Sequence, residues 1–586
     1  MEGEPRLRVS SAAGRWVLLA TVLGSSMALL DSTVVNVALP TISRSLGASL
    51  AGLQWTVTGY TLSLAGLILL GGSLGDRAGR RRVFLIGVVW FALASALCAA
   101  APDIFVLVGA RVLQGVGGAL LTPGSLAIIQ STFAADERPR AVGAWAGLGG
   151  VAAAIGPVLG GWLVQAGGWR WVFLLNLPVA AAVVVVTLRH VPETKDPAAI
   201  GSFDVAGAVL AALGLGGITY ALIEAPEPSG TVGVIAAATA GAAAAAGFVV
   251  VERRRTRTPH PVPPMLPLDV FASRQFTVIN VVTFLVYGAF GGLLFLLVLQ
   301  LQVVSGYSPL AAGAALLPIT VLMLLLSARS GSLAQRVGPR WPMTIGITAG
   351  AIGFLLMTRV GTHASYLTDV LPAVSVFGLG LSLTVAPLTA TVLASAAVRH
   401  AGVASGVNNA VARAASLVAV AALPAAVGLT GASYHEPARF SDGFDLASIT
   451  CAVLLLIAAA LAALLVDNDV LRPGGRPAPA PEAATCCPVG APQLQPVPAR
   501  GTSRLRAVLR LASRGVTLAV TGFGFRPGVR LAVVGLRCGS YLAGLRRRDL
   551  GRRDLDVWPK PAGLRVALVG AHVGRGERRR RQRPRP

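Results

Sequence analysis

Fourteen stretches of roughly twenty apolar residues dominate this chain, at about 16–39, 55–75, 83–101, 104–130, 141–165, 171–189, 203–223, 231–251, 276–303, 310–333, 341–359, 368–396, 404–428 and 446–466. About 20 apolar residues cross the hydrocarbon core of a bilayer as a helix. The backbone must satisfy itself there, so helices are the expected spanning element. The period-2 alternation of a membrane barrel is absent. The chain is therefore read as an all-α polytopic membrane protein with 14 transmembrane helices. Composition agrees: 54% of the 586 residues are hydrophobic and 13% charged, where a water-soluble chain carries about a quarter charged. The first block follows Arg6, Arg8 and Arg15. It is long for a signal-peptide core and no A-x-A site closes it, so it is read as the first membrane helix.

Orientation follows from arginine and lysine in the loops. With the N-terminus inside, the cytoplasmic segments hold Arg77, Arg80, Arg81, Arg82, Arg138, Arg140, Arg189, Lys195, Arg253, Arg254, Arg255, Arg257, Arg274, Arg329, Arg336, Arg340 and Arg399. The opposite side holds Arg44, Arg170, Arg359 and Arg439. A ratio of about five to one predicts both termini in the cytoplasm. The loop after the second block, GSLGDRAGRR at 72–81, repeats after the tenth as GSLAQRVGPR at 331–340. If each loop follows the second helix of a six-helix bundle, the order is 6+2+6. The expected boundaries are a cytoplasmic N-terminus (1–15), a six-helix bundle (16–190), two inserted helices (203–251), a cytoplasmic linker (252–275), a second bundle (276–466) and a tail (467–586). Parallel repeats of this kind build a large class of secondary transporters, with substrate held between the halves.

The tail is a separate compositional problem. From Leu471 onward 23 arginines and one lysine stand against five acids. Its uncharged apolar runs are too short to span. It opens with a Pro/Ala linker and no nucleic-acid module or aromatic interleaving supports RNA or DNA binding. A disordered cytoplasmic extension touching anionic lipid is expected. Of five cysteines, none forms a zinc-like CxxC pair, and no disulfide framework or metal site is implied.

Polar groups inside the apolar blocks mark the chemistry, because ionisable side chains in lipid are costly and must face a cavity or a partner. Asp31 lies within LLDSTVVNVALP (29–40), with Asn36 beyond it; Arg111 and Gln114 lie within GARVLQGVGGALLTP (109–123). In GLGGVAAAIGPVLGGWLV (147–164), Gly156, Pro157, Gly160 and Gly161 allow close helix contact and a kink. Asn408, Asn409 and Arg413 place polar groups in the thirteenth block, where lining a cavity and bonding neighbouring helices both remain open. The short second loop carries Gly72, Gly75 and Gly79 around Asp76 and Arg77, then Arg80. Glycines let it turn, and Asp76 is expected where the next helix begins.

These strings resemble the major facilitator superfamily. The 72–81 loop resembles its signature loop, in which an acid and arginines form a latch between halves; Gln335 replaces the acid in the second copy. The Asp31, Arg111 and Gly156–Gly161 strings resemble motifs of the fourteen-span drug:proton antiporters, the EmrB/QacA type, as do WRWVFLLNLP (169–178), SGYSPLAAGAALLP (305–318) and GVASGVNNAVARAA (402–415). Ala152 departs from the pattern, standing in place of a glycine. The resemblance implies a major facilitator fold, proton coupling through Asp31 and Arg111, and a bundle interface sealed by the glycine–proline cluster. It implies a substrate cavity touching Asp31, Asn36, Gln114, Asn408, Asn409 and Arg413.

Function is then expected to be antiport: protons in, a small hydrophobic or monocationic organic molecule out, across the bacterial inner membrane, by a monomer. No phosphate-binding GxxxxGK[ST] loop or catalytic histidine arrangement occurs, so the proton gradient is the expected energy source, with no cofactor. Asp31 is the one carboxylate placed deep in a span; Asp204 and Glu224 lie near span ends. One proton per substrate is the simplest stoichiometry. Proton symport for uptake, or a non-transporting sensor using the basic tail, are the alternatives.

Overall fold

A computed structural model describes residues 7–471 apart from 135, 196–203, 227–229, 258–261, 263, 265, 267, 396–400 and 431–435. The expected tail beyond 471, and the loop residues Arg6 and Arg399, lie outside the described residues. Among the described residues fourteen helical spans follow one another. They are α1 (Ala12–Leu46), α2 (Leu50–Ala78), α3 (Arg80–Ala100), α4 (Ile104–Thr132), α5 (Arg138–Gly167), α6 (Arg170–His190) and α7 (Val205–Glu224). Then come α8 (Thr231–Arg257), α9 (Arg274–Val304), α10 (Pro309–Val337), α11 (Arg340–Met357), α12 (Tyr366–Ser395), α13 (Ala401–Ala426) and α14 (Pro437–Leu465). Thirteen pass as single apolar spans, and α2 is the fourteenth, bent by 50° between Leu50–Ile68 and Leu70–Ala78. Gly71 and Gly72 stand at the bend, and a Cβ at Gly71 would press into the Ala119–Leu120 backbone of α4. A glycine pair of this kind is a recognised cause of kinking.

Several ends fall outside the expected ranges. Ser11 caps α1 four residues early, accepting a bond from the Gly14 amide. The second inserted helix runs on through Glu252 to Arg257, into the expected linker. Its arginines complement the negative end of the helix dipole, and Arg255 pairs with Asp204, the N-cap of α7. Breaks inside α6 at Leu175 and α10 at Leu316 trace to Pro178 and Pro318, each removing one helical hydrogen bond.

The packing repeats. In the first half α2 and α3 pack on α4, and α1 packs on α5 and α6. In the second half α10 and α11 pack on α12, and α9 packs on α13 and α14. The halves meet through two equivalent pairs, α5 with α10 and α2 with α13. The inserted α7 packs on α8 and lies along the α2–α13 seam. Repetition extends to the loops. Gly79 and Gly338 both adopt positive φ, 113° and 89°, which favours glycine. The helix that follows each is capped from the segment just after the last span of its own half. The Glu193 carboxylate accepts from the Arg81 and Arg82 amides, both at 3.1 Å, and Asn468 Oδ1 accepts from the Arg340 amide at 3.2 Å.

The two halves share a core at one end only. At the end bearing the α1–α2 turn, Leu39, Ile42 and Leu53 belong to the same buried cluster as Leu296, Leu301 and Leu423. At the opposite end, bearing the arginine loops, Phe84, Phe91, Ile128 and Phe133 form a cluster with no member from α9–α14. The molecule is thus closed at the first end, and a cleft between the halves opens toward the second. Reporter fusions should place residues 80, 195, 255 and 340 on one face of the membrane, and 50 and 435 on the other. A twelve-span result, with α7 and α8 not crossing, would overturn this order.

Candidate functional site

Asp31, halfway along α1, and Arg111, in the first third of α4, are 2% and 1% exposed and form an ion pair. A polar shell surrounds them. Gln114 Nε2 donates to Asp31 Oδ1 at 2.8 Å and to Ser95 Oγ at 2.8 Å, while its Oε1 accepts from Arg111 at 2.6 Å. Asn176 Nδ2 donates to Asp31 Oδ1 at 3.3 Å and to Ser95 Oγ at 3.2 Å. Arg111 Nε donates to the Thr56 carbonyl at 3.0 Å, and the guanidinium lies 4.4 Å from the Tyr60 ring centroid and 5.8 Å from that of Phe173. Five helices of the first half build this site: α1, α2, α3, α4 and α6.

Buried charges are tolerated when paired and fully hydrogen-bonded, and this pair is. The arrangement also permits a specific change. If Asp31 takes a proton, its attraction for Arg111 falls, but Arg111 keeps the Thr56 carbonyl, Gln114 Oε1 and the Tyr60 face. The guanidinium then keeps hydrogen-bond acceptors, but its charge is no longer balanced by a carboxylate.

The other expected residues separate into groups. Gln114 is fully buried inside the first half and faces its partners rather than the cleft. The Asn36 side-chain oxygen is buried with no hydrogen-bond partner. Asn408 bonds α9, donating to Thr283 Oγ1 at 2.8 Å and Asn280 Oδ1 at 3.3 Å, so here the interhelical alternative is what the geometry displays. Asn409 is exposed and accepts from Arg413 Nε at 3.0 Å.

The loop motif differs from expectation in one respect. Asp76 lies in the last turn of α2 rather than at the start of α3; Glu193 occupies the helix N-terminus instead. A carboxylate at a helix C-terminus is unfavourable, and Arg80 offsets it through 2.8 and 2.7 Å bonds. That bond is local to the loop. Arg77 and Gly72 flank it, and Gly75 faces open space.

The glycine–proline cluster sits where the halves touch. A Cβ at Gly160 would fall 2.7 Å from Val34 Cγ1, and one at Gly156 would fall 3.1 Å from Thr33 Cβ, both on α1. A Cβ at Gly161 would fall 2.6 Å from Leu310 Cα, and one at Gly313 would fall 2.6 Å from the Pro157 carbonyl carbon. Backbone-to-backbone contact of α5 with α10 therefore requires the absence of side chains. Two glutamines complete the closed end. Gln54 Nε2 donates to the Val420 and Ala421 carbonyls at 2.7 and 3.0 Å, and Gln302 Nε2 donates to Val37 at 2.9 Å. Sequence reasoning missed both glutamines, along with Tyr60, Ser95 and Asn176; for Gln54, Gln302 and Asn176 an amide within or beside an apolar block was the available signal.

Gly161→Ala should open this end. Overpacking costs about 1–3 kcal/mol, and a two-state equilibrium shifts by that difference. On a cysteine-free background, a cysteine at Val37 should react with an impermeant maleimide at least about fivefold faster in the alanine variant. Unchanged labelling would show that the contact does not hold the closed end.

Among the described residues no group of three or more His, Cys, Asp or Glu side chains is placed to hold a metal ion. Two six-helix halves of like packing, meeting in a one-ended cleft beside a buried acid–arginine pair, define a transporter of the alternating-access kind. The chain belongs to the Major Facilitator Superfamily, whose family model matches residues 21–420. It is 36% identical over 394 residues to the multidrug resistance protein Stp of Mycobacterium tuberculosis, covering 67% of this chain and 72% of that one. It is 33% identical over 460 residues to the methylenomycin A resistance protein of Bacillus subtilis (78% and 94%). It is 36% identical over 473 residues to the puromycin resistance protein pur8 of Streptomyces alboniger (77% and 91%). Among solved structures, an inward-facing, unoccupied bacterial homolog of the human lysosomal transporter Spinster matches with TM-score 0.55 at 17% identity, covering 78% of this chain and 98% of that one. The POT family transporter PepTSo matches with TM-score 0.57 at 17% identity (77% and 97%). At these identities the structural likeness concerns the fold. The chain is a multi-pass protein of the bacterial inner membrane.

Proposed function

We propose that this protein exports small amphipathic organic molecules in exchange for protons, with both termini in the cytoplasm. The observation that carries the reading is the Asp31–Arg111 pair, buried within one half and bordering a cleft closed at its far end. The arginine loops favour the cytoplasmic side, which makes this the inward-open state. An ion-paired Asp31 is a deprotonated one, so the inward-open state corresponds to a transporter that has released its proton and awaits cargo. Cargo binding and closure at the cytoplasmic end would return the cleft outward, where Asp31 reloads. The resistance and export names borne by the relatives support small organic cargo, and the α5–α10 glycine contact supports a seal that opens and closes as a unit. No free carboxylate is offered to a cationic cargo at this depth, because Asp31 is held by Arg111. Neutral or acidic cargo fits better than the monocationic cargo expected at first.

Everted vesicles energised by respiration test this. They should accumulate at least one member of a panel of neutral and acidic organic compounds against its gradient, and nigericin with valinomycin should discharge it. Accumulation that survives collapse of the gradient would remove proton coupling. Failure to accumulate any compound of a broad panel would remove export.

A further inference from the structure

We infer that Arg413 is the anchor for an acidic group on the transported molecule, a carboxylate or an ionised enol or phenol; this rests on the export reading above and names its cargo class. Arg413 lies at the middle of α13. Residues 413, 417, 420 and 421 share one helix face, by the three-to-four residue repeat. That face is turned to α2, because the Val420 and Ala421 carbonyls accept from Gln54. Arg413 is seven residues farther from the closed end than Val420, about 10 Å along the axis, and Tyr60 is six residues beyond Gln54, about 9 Å. The two antiparallel helices thus bring Arg413 to the level of Tyr60, and with it the Asp31–Arg111 site, on the opposite side of the interface. Asn409, one turn toward the open end on the same helix, is exposed. The face therefore passes from the seal into the cleft.

Charge balance at this level is uneven. Asp31 and Arg111 neutralise each other, and Asp442 and Asp445, in the first third of α14, form no ion pair with Arg413. Arg413 adds a second guanidinium, and no described carboxylate lies within 4.0 Å of it. Its Nε donates to Asn409 Oδ1. This bond uses the Nε side of the guanidinium and not the Nη1–Nη2 edge, which can receive a carboxylate with two parallel bonds. Arginine within a bilayer demands such a partner. Asp31 is a poor one: its carboxylate is fully buried and already bonded to Arg111, Gln114 and Asn176. A second consequence follows. One monoanion out for one proton in moves two charges in the same direction per cycle, whereas exchange of a monocation moves none.

The test uses pyrenebutyrate, its methyl ester and pyrenebutylamine, a matched anionic, neutral and cationic set, with the full-length protein in lipid nanodiscs and empty nanodiscs subtracted. The wild type should bind the acid at least about tenfold more tightly than the ester, the scale of a charge-assisted bond. Arg413→Gln should bring that ratio to about one, and Arg413→Lys should recover only part of it, because an ammonium lacks the two-pronged edge. If Arg413→Gln fails to insert, Arg413→Lys and Asn409→Ala carry the test through the same acid-to-ester ratio. In proteoliposomes an imposed inside-positive or inside-negative voltage should change acid transport and leave amine exchange unaffected. An unchanged ratio in the variants, or equal loss for acid and ester, overturns the assignment; equal loss would point to Arg413 serving the transport cycle instead. Should the wild type transport ester and amine but never the acid, export stands and this inference falls. Should it bind the acid through Arg413 while no pyrene compound moves under a proton gradient, the inference stands and export falls.

Discussion

Asp31→Asn is expected to abolish uphill export, lowering gradient-driven accumulation by about two orders of magnitude, while downhill exchange of the same compound persists. The reasoning starts from what the amide keeps. Asparagine has the same size, and its oxygen can still accept from Gln114 and Asn176, which now sit 2.8 and 3.3 Å from Asp31 Oδ1. The five-helix site should therefore assemble, at a cost in stability because the amide nitrogen now faces Arg111, which retains the Thr56 carbonyl and Gln114 Oε1. What is lost is the titratable group. Of the other described acids, Asp204 caps the start of α7, Glu224 ends it while bonded to the Trp55 indole, and Asp442 and Asp445 lie in the first third of α14, in the other half of the molecule. Without a proton carrier the transporter cannot draw on the pH gradient, worth about 1.4 kcal/mol per unit, nor on the voltage, about 2.3 kcal/mol per charge per 100 mV. The check is substrate-induced proton release in detergent, which should vanish in the variant. Proton release equal to wild type would place the coupling group elsewhere and remove Asp31 from that role.

The reach of the sequence was set by energy scale. A span of twenty apolar residues and an arginine inside it are expensive alternatives to misplace, and so the helix order, the 6+2+6 arrangement and the Asp31 and Arg111 positions are visible without coordinates. The shell around the pair is not. Ser95 and Asn176 are ordinary polar residues in their own helices, and they meet only because α3 and α6 rotate toward α1 and α4. Tyr60 reads as one more aromatic in an apolar block until α2 lays it under the Arg111 guanidinium. Asp76 illustrates the opposite error. A carboxylate is favoured at a helix N-terminus, which suggests the start of α3, but α2 continues to Ala78, and the true cap, Glu193, is more than a hundred residues away in the chain. Asn408, Asn409 and Arg413 could not be told apart in sequence, since a rotation of about 100° per residue decides which of them meets α9 and which meets the cleft.

Arg111→Leu and Asp31→Asn are each expected to destabilise the site, and the double variant to recover much of that cost. Removing one partner of a buried ion pair leaves an uncompensated charge and typically costs about 3–5 kcal/mol. Asp31 would then relieve the strain by holding a proton permanently, so the variant should be both poorly folded and locked in its proton-loaded form. Replacing both residues removes both charges. The apolar leucine then packs against the Tyr60 and Phe173 rings, which now flank the guanidinium. In a double-mutant cycle read from the survival of monodisperse protein after heating in detergent, a coupling energy of at least about 2 kcal/mol is expected. Strictly additive losses would show that the two residues do not depend on each other. Stability and transport should part company here: the double variant regains its fold but has neither a proton carrier nor the cation that senses its charge. Recovery of the fold without export would separate the pair's role in holding α1 to α4 from its role in coupling, which no single substitution at either position can do.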